Sequence, residues 1–216
     1  MKVDDILINR LTDICRVFFD QARASHGWDH VQRVTALCQT MGPMEGCDMT
    51  VLLASALLHD IARRQCDMEK GARCHARVGA QMAREILAGL NLDERFIGQV
   101  VHCVATHRYR GDDRPESMEA RVLFDADKLD SIGAVGVGRA FQFAGEVGAM
   151  LHDPDIDPGR TAAYGPDDTA WREYMVKLRH IKEAMLTTAG AAIASERSRF
   201  MDEFFHRLNR EARGEI

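Results

Sequence analysis

The chain has 216 residues, 46% of them hydrophobic, which is enough to bury a core without disulfide bonds. Its formal net charge of −5 argues against a surface that binds duplex nucleic acid, because such a surface carries a basic patch. The six cysteines are scattered and form no C-x-x-C pair, which predicts reduced thiols and a cytoplasmic location rather than a zinc finger or a secreted disulfide framework.

The amino terminus and the longest apolar run both argue against a membrane partner. Acidic residues stand at positions 4 and 5, where a secretion signal needs a basic stretch followed by an apolar one. The longest run of apolar and small residues, 51–58, is too short to cross a bilayer. We therefore expect a soluble protein.

Apolar residues recur at helical spacing along the whole chain, and strand patterns are scarce. Asp48 is typical of a residue that caps the start of a helix, and Gly42-Pro43 is typical of a helix end. The predicted helices, in chain order, are 3–23, about 29–41, 49 to about 64, 71–89, 93–109, 117–130, 134–148, 170–188 and 191–212. Residues 152–169 hold three of the five prolines and are predicted to form a long loop, a candidate lid. Together these elements predict a single all-α domain over residues 1–216.

The apolar run that forms the third predicted helix ends in His59 and Asp60. Burying a carboxylate beside an imidazole costs roughly several kcal/mol unless both groups are paired or bind a metal. Adjacent residues of a helix point about 100° apart, so one ion beside the helix axis is within reach of both side chains. The doublet alone is a weak signal, and the neighbouring segments strengthen it.

Two further segments place candidate ligands on predicted helices. "SHGWDHVQRV" (25–34) puts His30 near the start of the second helix, and "LFDADKLDSIGAVGVGRAF" (123–141) interrupts an apolar stripe with three acids, Asp125, Asp127 and Asp130. These acids would repel one another without a cation. The alternative is a solvated charged face, with Asp130 capping the helix that follows.

These segments together resemble the HD-domain superfamily of metal-dependent phosphohydrolases, whose signature is a histidine, a His-Asp doublet and a distant aspartate. The matching residues are His30, His59, Asp60 and Asp127. The likeness to small bacterial members covers most of the chain. It implies a helical bundle of the HD-domain type in which these four residues bind one divalent cation.

The chemistry of this ligand set agrees with the resemblance. Two neutral imidazoles and two carboxylates carry a formal charge of −2, which a divalent cation neutralises. Mixed nitrogen and oxygen ligands suit Mn, Fe, Co, Ni or Zn better than Mg, which prefers oxygen alone. On an octahedral ion, four protein ligands leave two positions open for water and a phosphate oxygen. Such an ion lowers the pKa of water and polarises a phosphoryl group.

The resemblance also implies roles for residues near the doublet. Asp60, His75 and His107 are the catalytic candidates: Asp60 as a proton relay, and the two histidines because many relatives place extra histidines there that bind a second metal or the substrate's phosphates. The alternative for His75 and His107 is a surface position or a core histidine with satisfied hydrogen bonds. A second ion would bring the centre closer to dinuclear oxygenases of the superfamily.

Four residues are candidates for substrate binding. Arg63 lies four residues after His59, on the same predicted helix face, where some nucleotidases of the family have a glutamate. Arginine there favours a phosphate clamp, since guanidinium binds phosphate through two hydrogen bonds; the alternative is an exposed cation at a helix end. Lys128 binds phosphate or pairs with Asp125, which is itself a second candidate proton relay, and His26 is a supporting or substrate-contacting group.

We therefore expect a hydrolase that acts on a small phosphate ester or anhydride. Similar small members of the family favour a nucleotide, including a nucleoside triphosphate cut to monophosphate and pyrophosphate. The alternatives are a non-catalytic module that senses metal or nucleotide, and a cyclic-nucleotide phosphodiesterase. A homodimer is left open.

Overall fold

The computed structural model describes residues 4–19, 27–69, 73–109 and 113–216, and all of the regular structure in these ranges is helical. The all-α class predicted from the sequence is therefore confirmed. The α-helices are α1 (Asp5–Arg16), α2 (Trp28–Met44), α3 (Met49–Leu58), α4 (Arg63–Met68), α5 (His75–Gly89), α6 (Glu94–Thr106), α7 (Met118–Leu129), α8 (Gly133–Glu146), α9 (Ala170–Val176) and α10 (Thr188–Ala212). None of these described helices combines the length and apolarity that crossing a bilayer requires.

The backbone divides into two compact units, Met1–Asp127 and Lys128–Ile216. The division falls inside α7: its residues up to Asp127 belong to the first unit, and Lys128 and Leu129 belong to the second. The single domain expected over 1–216 stays a prediction.

Helix α3 is the centre of the first unit. It packs against α1, α2, α5 and α6, and every residue from Val51 to Leu58 is buried. The carboxylate of Asp48 accepts hydrogen bonds from the backbone N–H groups of Thr50 and Val51, as the sequence predicts for a capping residue. An apolar helix covered on all sides holds the residues at its end in fixed positions.

The predicted continuation of α3 to about residue 64 is wrong. The helix ends at Leu58, and the next four residues form turns before α4 begins at Arg63. The N–H of Ile61 bonds to the carbonyl of Leu58, and that of Arg63 bonds to the carbonyl of Asp60. These hydrogen bonds join residues three apart, as in a 3-10 turn, instead of four apart as in an α-helix. Arg63 therefore does not share a helix face with His59.

Other predicted boundaries also shift. The first helix is α1, followed by a 3-10 turn over Val17–Phe19, and its predicted end at 23 lies outside the described residues. Helix α2 continues past the predicted end at 41. Pro43 lies in its last turn, and the N–H of Glu45 still bonds to the carbonyl of Met41. The predicted helix 170–188 is broken at Lys177, where φ is −141° and a 3-10 segment, Leu178–Ala184, follows.

The second unit packs α8 against α10 and α9 against α8. The ring of Phe205 on α10 stacks on Tyr174 with centroids 4.5 Å apart, and Trp171 lies 5.7 Å from the same ring. The backbone from 148 to 169 contains no helix and is held by Arg172, whose guanidinium donates to Asp168 and to the Thr161 carbonyl. Its predicted role as a lid stays a prediction.

Candidate metal centre

The ends of helices in the first unit bring six histidine and aspartate side chains together. His59 and His107 each follow directly after the last residue of a helix, and His75 is the first residue of α5. His30 lies in the first turn of α2, and Asp127 lies in the last turn of α7. Because a helix end leaves backbone groups without partners inside the helix, side chains there can be oriented by those groups.

Three of these side chains, His30, His59 and Asp127, form a first group in which a metal ion fits. The Nε2 atoms of His30 and His59 are 3.2 Å apart, and the same nitrogen of His30 is 3.5 Å from Oδ1 of Asp127. Both histidines are buried and Asp127 is 20% exposed, so one side of this group faces solvent.

A second group that fits a metal ion consists of Asp60, His75 and His107, all three buried. Oδ1 of Asp60 is 3.2 Å from Nε2 of His75 and 3.6 Å from Nε2 of His107. Its other oxygen, Oδ2, is 3.8 Å from Nε2 of His30 and 3.9 Å from Nε2 of His59. The Asp60 carboxylate therefore contributes one oxygen to each group and joins them into a single centre.

Backbone carbonyls fix which nitrogen two of the histidines present to the centre. Nδ1 of His59 is 2.7 Å from the carbonyl oxygen of Ala56, and Nδ1 of His107 is 2.7 Å from that of Val104. A carbonyl only accepts, so Nδ1–H is the donor in both residues, and a neutral ring then has its lone pair on Nε2. Both lone pairs face the aspartates. In metal sites, a hydrogen bond to the other ring nitrogen fixes the tautomer and orientation of a ligating histidine in the same way.

Charge states in the centre match what metal ligation requires. Burial lowers the pKa of His59 to about 4 and also lowers the pKa of His75, so both imidazoles are neutral near pH 7. Burial by itself raises the pKa of the Asp60 carboxyl, but its interactions with the imidazoles of His59, His107 and His75 hold that pKa well below its ordinary value. The centre thus combines neutral nitrogens with an ionised carboxylate.

The residues present fit a divalent cation. His59 presents a bare nitrogen to Nε2 of His30 at 3.2 Å, and this approach is stable only with a proton or a cation between the two atoms. The carboxylates of Asp60 and Asp127 lie within 4 Å of Nε2 of His30 and supply the compensating negative charge. Nitrogen and carboxylate donors in one buried group are typical ligands of Mn, Fe, Co, Ni or Zn.

The structure gives different outcomes for the predicted substrate-binding residues. Arg63 lies at the start of α4, where its Nε is 3.3 Å from Asp67 and its charge lowers the pKa of His75. Asp125 is fully buried on α7. Lys128 is half-buried on the same helix, in the second compact unit. His26 lies outside the described residues.

One residue near the centre was missed from the sequence. Nη1 of Arg108 is 3.4 Å from Nδ1 of His75, so this guanidinium contacts the second group directly. The only signal in the sequence is a basic residue directly after His107, and neighbouring positions do not reveal which way such a side chain turns.

The alternative in which Asp130 caps the next helix does not hold in the structure. The residue at the cap position of α8 is Ile132, and its side chain makes no capping bond. Asp130 is buried and accepts a hydrogen bond of 2.7 Å from Arg139. Both residues of this pair lie within the second unit.

Comparisons with known proteins identify a family model and relatives that this chain resembles. A family model described as the HD domain matches residues 27–132, which include all six residues of the centre. The uncharacterized protein YpgQ of Bacillus subtilis (strain 168) is 29% identical over 195 residues, covering 88% of this chain and 86% of YpgQ.

Solved structures have the same fold. A crystal structure described as an HD-superfamily hydrolase from Bacillus thuringiensis matches with a TM-score of 0.77 and 25% identity, over 97% of this chain and 98% of that one. The crystal structure of Bacillus subtilis YpgQ in complex with ADP matches with a TM-score of 0.73 and 23% identity, over 94% and 97% of the two chains.

Proposed function

The chain belongs to the HD-domain superfamily, and we propose that it is a divalent-metal-dependent phosphohydrolase that acts on a small phosphate ester or anhydride. The observation that carries this proposal is the position of the Asp60 carboxylate. One of its oxygens faces His30 and His59, and the other faces His75 and His107. An ionised, buried carboxylate between two pairs of imidazoles is expensive unless a cation compensates it.

In this proposal His30, His59, Asp60 and Asp127 hold the ion. When bound, it lowers the pKa of water and polarises a phosphoryl oxygen. The chain's own residues provide the surroundings for this chemistry. The carbonyl of Ala56 keeps His59 in the form that presents Nε2, and burial excludes competing water from the nitrogen side of the site.

His75, His107 and Arg63 form the side of the centre proposed to receive the phosphate. His75 and His107 contact Oδ1 of Asp60, and the positive charge of Arg63 acts on His75. Positive charge placed beside a phosphoryl group stabilises the negative charge that develops on its oxygens during transfer. Lys128 and Asp125 are proposed as further contacts to phosphate or as a proton relay.

A nucleotide is the proposed substrate class. The support is that YpgQ, a relative of the same fold, was crystallised with ADP. Small members of the family also suggest a more specific reaction, the cleavage of a nucleoside triphosphate to monophosphate and pyrophosphate. The formal net charge of −5 and the burial of the centre both favour a small substrate over a duplex nucleic acid.

The test is a hydrolysis panel with defined metal content. Protein stripped with a chelator and reloaded with Mn²⁺ is incubated with nucleoside mono-, di- and triphosphates, cyclic nucleotides and a generic phosphomonoester. Phosphate is assayed with and without added pyrophosphatase, which separates the release of phosphate from the release of pyrophosphate. We expect turnover of a nucleotide in the loaded protein and its loss in Asp127→Ala.

Asp157→Ala is the matched control, because Asp157 is an exposed aspartate paired with Arg160. Turnover of cyclic nucleotides alone would replace the proposal with a phosphodiesterase. Stoichiometric metal with no turnover on the whole panel would favour a sensor module.

A further inference from the structure

His75 differs from His107, the other histidine of the second group, in what its two nitrogens contact. Its Nε2 is 3.2 Å from Oδ1 of Asp60, and its Nδ1 is 3.4 Å from Nη1 of Arg108. The residue is 5% exposed, so water does not replace either contact. Both ring nitrogens therefore have protein partners of opposite charge.

The chemistry of the two partners fixes where the hydrogen of a neutral His75 lies. A guanidinium has five N–H donors and no acceptor, so Nδ1 must accept the hydrogen bond from Arg108. The single hydrogen of the neutral ring is then on Nε2, where an ionised carboxylate accepts it. His75 thus presents N–H, and not a lone pair, to Asp60.

His107 has the opposite arrangement in the same group. Its Nδ1–H donates to the carbonyl of Val104 at 2.7 Å, so a neutral ring has its lone pair on the Nε2 that faces Asp60. The two histidines approach the same carboxylate oxygen through the same ring atom and differ in that atom's hydrogen. The partner at Nδ1, a carbonyl for His107 and a guanidinium for His75, accounts for the difference.

We infer that Arg108 is a positioning residue that keeps His75 in the Nε2–H form, which makes His75 a hydrogen-bond donor to Asp60 rather than a metal ligand. To bind an ion through Nε2, a neutral His75 would carry its hydrogen on Nδ1, directly against the N–H of Arg108. The group Asp60, His75 and His107 then lacks one nitrogen ligand, and the centre holds a single ion. This consequence rests on the proposed metal site, whereas the hydrogen position of His75 does not.

Nuclear magnetic resonance reads the hydrogen position directly. Long-range proton–nitrogen correlation spectra of metal-free protein with labelled histidine, at pH 7.5, distinguish a ring with hydrogen on Nε2 from one with hydrogen on Nδ1. We expect Nε2–H for His75 and Nδ1–H for His59 and His107, with the His75 signals identified by their loss in His75→Asn. An Nδ1–H ring at His75 in the wild type would overturn the inference.

The variant Arg108→Met tests the cause. We expect His75 to lose its preference for the Nε2–H form, because Nδ1 no longer has a donor against it. Arg77→Met is the matched control, since Arg77 is an exposed arginine of α5 paired with Asp113, and its spectrum should equal that of the wild type. An unchanged His75 in Arg108→Met would contradict the assigned role, and the remaining histidine signals report whether that variant is folded.

Metal counting gives the second measurement. After equilibrium dialysis against Mn²⁺, we expect one equivalent in the wild type and in Arg77→Met, and two in Arg108→Met, where His75 is able to become a ligand. Two equivalents in the wild type, or one in Arg108→Met, would contradict the inference. No bound metal in the wild type would overturn the proposed function, while the spectra would still decide the form of His75.

Discussion

The Nδ1–H of His59 donates to the carbonyl oxygen of Ala56 at 2.7 Å, three residues earlier in the chain. This bond is available because α3 ends at Leu58, so the carbonyl of Ala56 has no helical N–H at its usual position four residues on. The end of a buried helix therefore does two things at once. It places the imidazole at the centre, and it sets which nitrogen faces the aspartates.

Metal binding should stabilise the folded protein. Mn²⁺ at a hundred times its dissociation constant adds about 2.7 kcal/mol to the free energy of unfolding, which for a chain of this size raises Tm by about 5–10 °C. We expect this rise in chelator-stripped wild type and in Asp157→Ala, and its absence in His59→Ala and Asp127→Ala, measured by thermal unfolding with and without Mn²⁺. A full rise in Asp127→Ala would remove this residue from the ligand set.

Replacing Arg63 should affect substrate binding more than metal binding. Its charge acts on His75, but it contacts Asp67 rather than the aspartates of the centre. We expect Arg63→Met to raise KM about tenfold, equivalent to about 1.4 kcal/mol, with unchanged metal content. The exposed neighbour Arg64 provides the matched control, Arg64→Met. Loss of metal in Arg63→Met, or an unchanged KM, would argue against a phosphate clamp.

The sequence predicts some features of this centre and misses others for a physical reason. Asp48 caps its helix as expected, since capping depends on residues next to one another in the chain. The residue types of the centre are likewise readable because they interrupt apolar patterns. The end of α3 at Leu58 and the contact between Arg108 and His75 were not predicted, because both depend on partners that only the folded chain brings together. The pairing of Asp130 with Arg139 is a further example.

The hydrogen bond from Tyr174 to Asp202 should make stability depend on alkaline pH. Burial, reinforced by the Asp202 carboxylate, raises the pKa of the Tyr174 hydroxyl above its unfolded value of about 10. A raised folded pKa means that the folded state keeps its proton longer. The stabilisation is therefore fully present below about pH 10 and is lost as the pH rises through the folded pKa.

Tyr174→Phe removes this contribution. We expect it to lower the free energy of unfolding at pH 7 by about 1–2 kcal/mol and to flatten the decline above about pH 10, measured by urea unfolding at several pH values. Tyr164→Phe is the control, because Tyr164 is 76% exposed. If the free energy of unfolding falls equally steeply with pH in the wild type and in Tyr174→Phe, the Tyr174 hydroxyl does not cause that fall.

The glycines of α8 should respond very differently to alanine. A Cβ at Gly136 would lie 2.3 Å from the backbone carbonyl oxygen of Ser131, a distance that real Cβ atoms do not adopt, whereas a Cβ at Gly138 would meet nothing within 4 Å. We expect Gly136→Ala to reduce the free energy of unfolding by about 1–3 kcal/mol through overpacking. Gly138→Ala should instead raise it by about 0.5–1 kcal/mol, because alanine loses less backbone entropy in a helix. Urea unfolding of both variants measures this difference, and the same result for both would mean that the close approach to Ser131 does not constrain position 136.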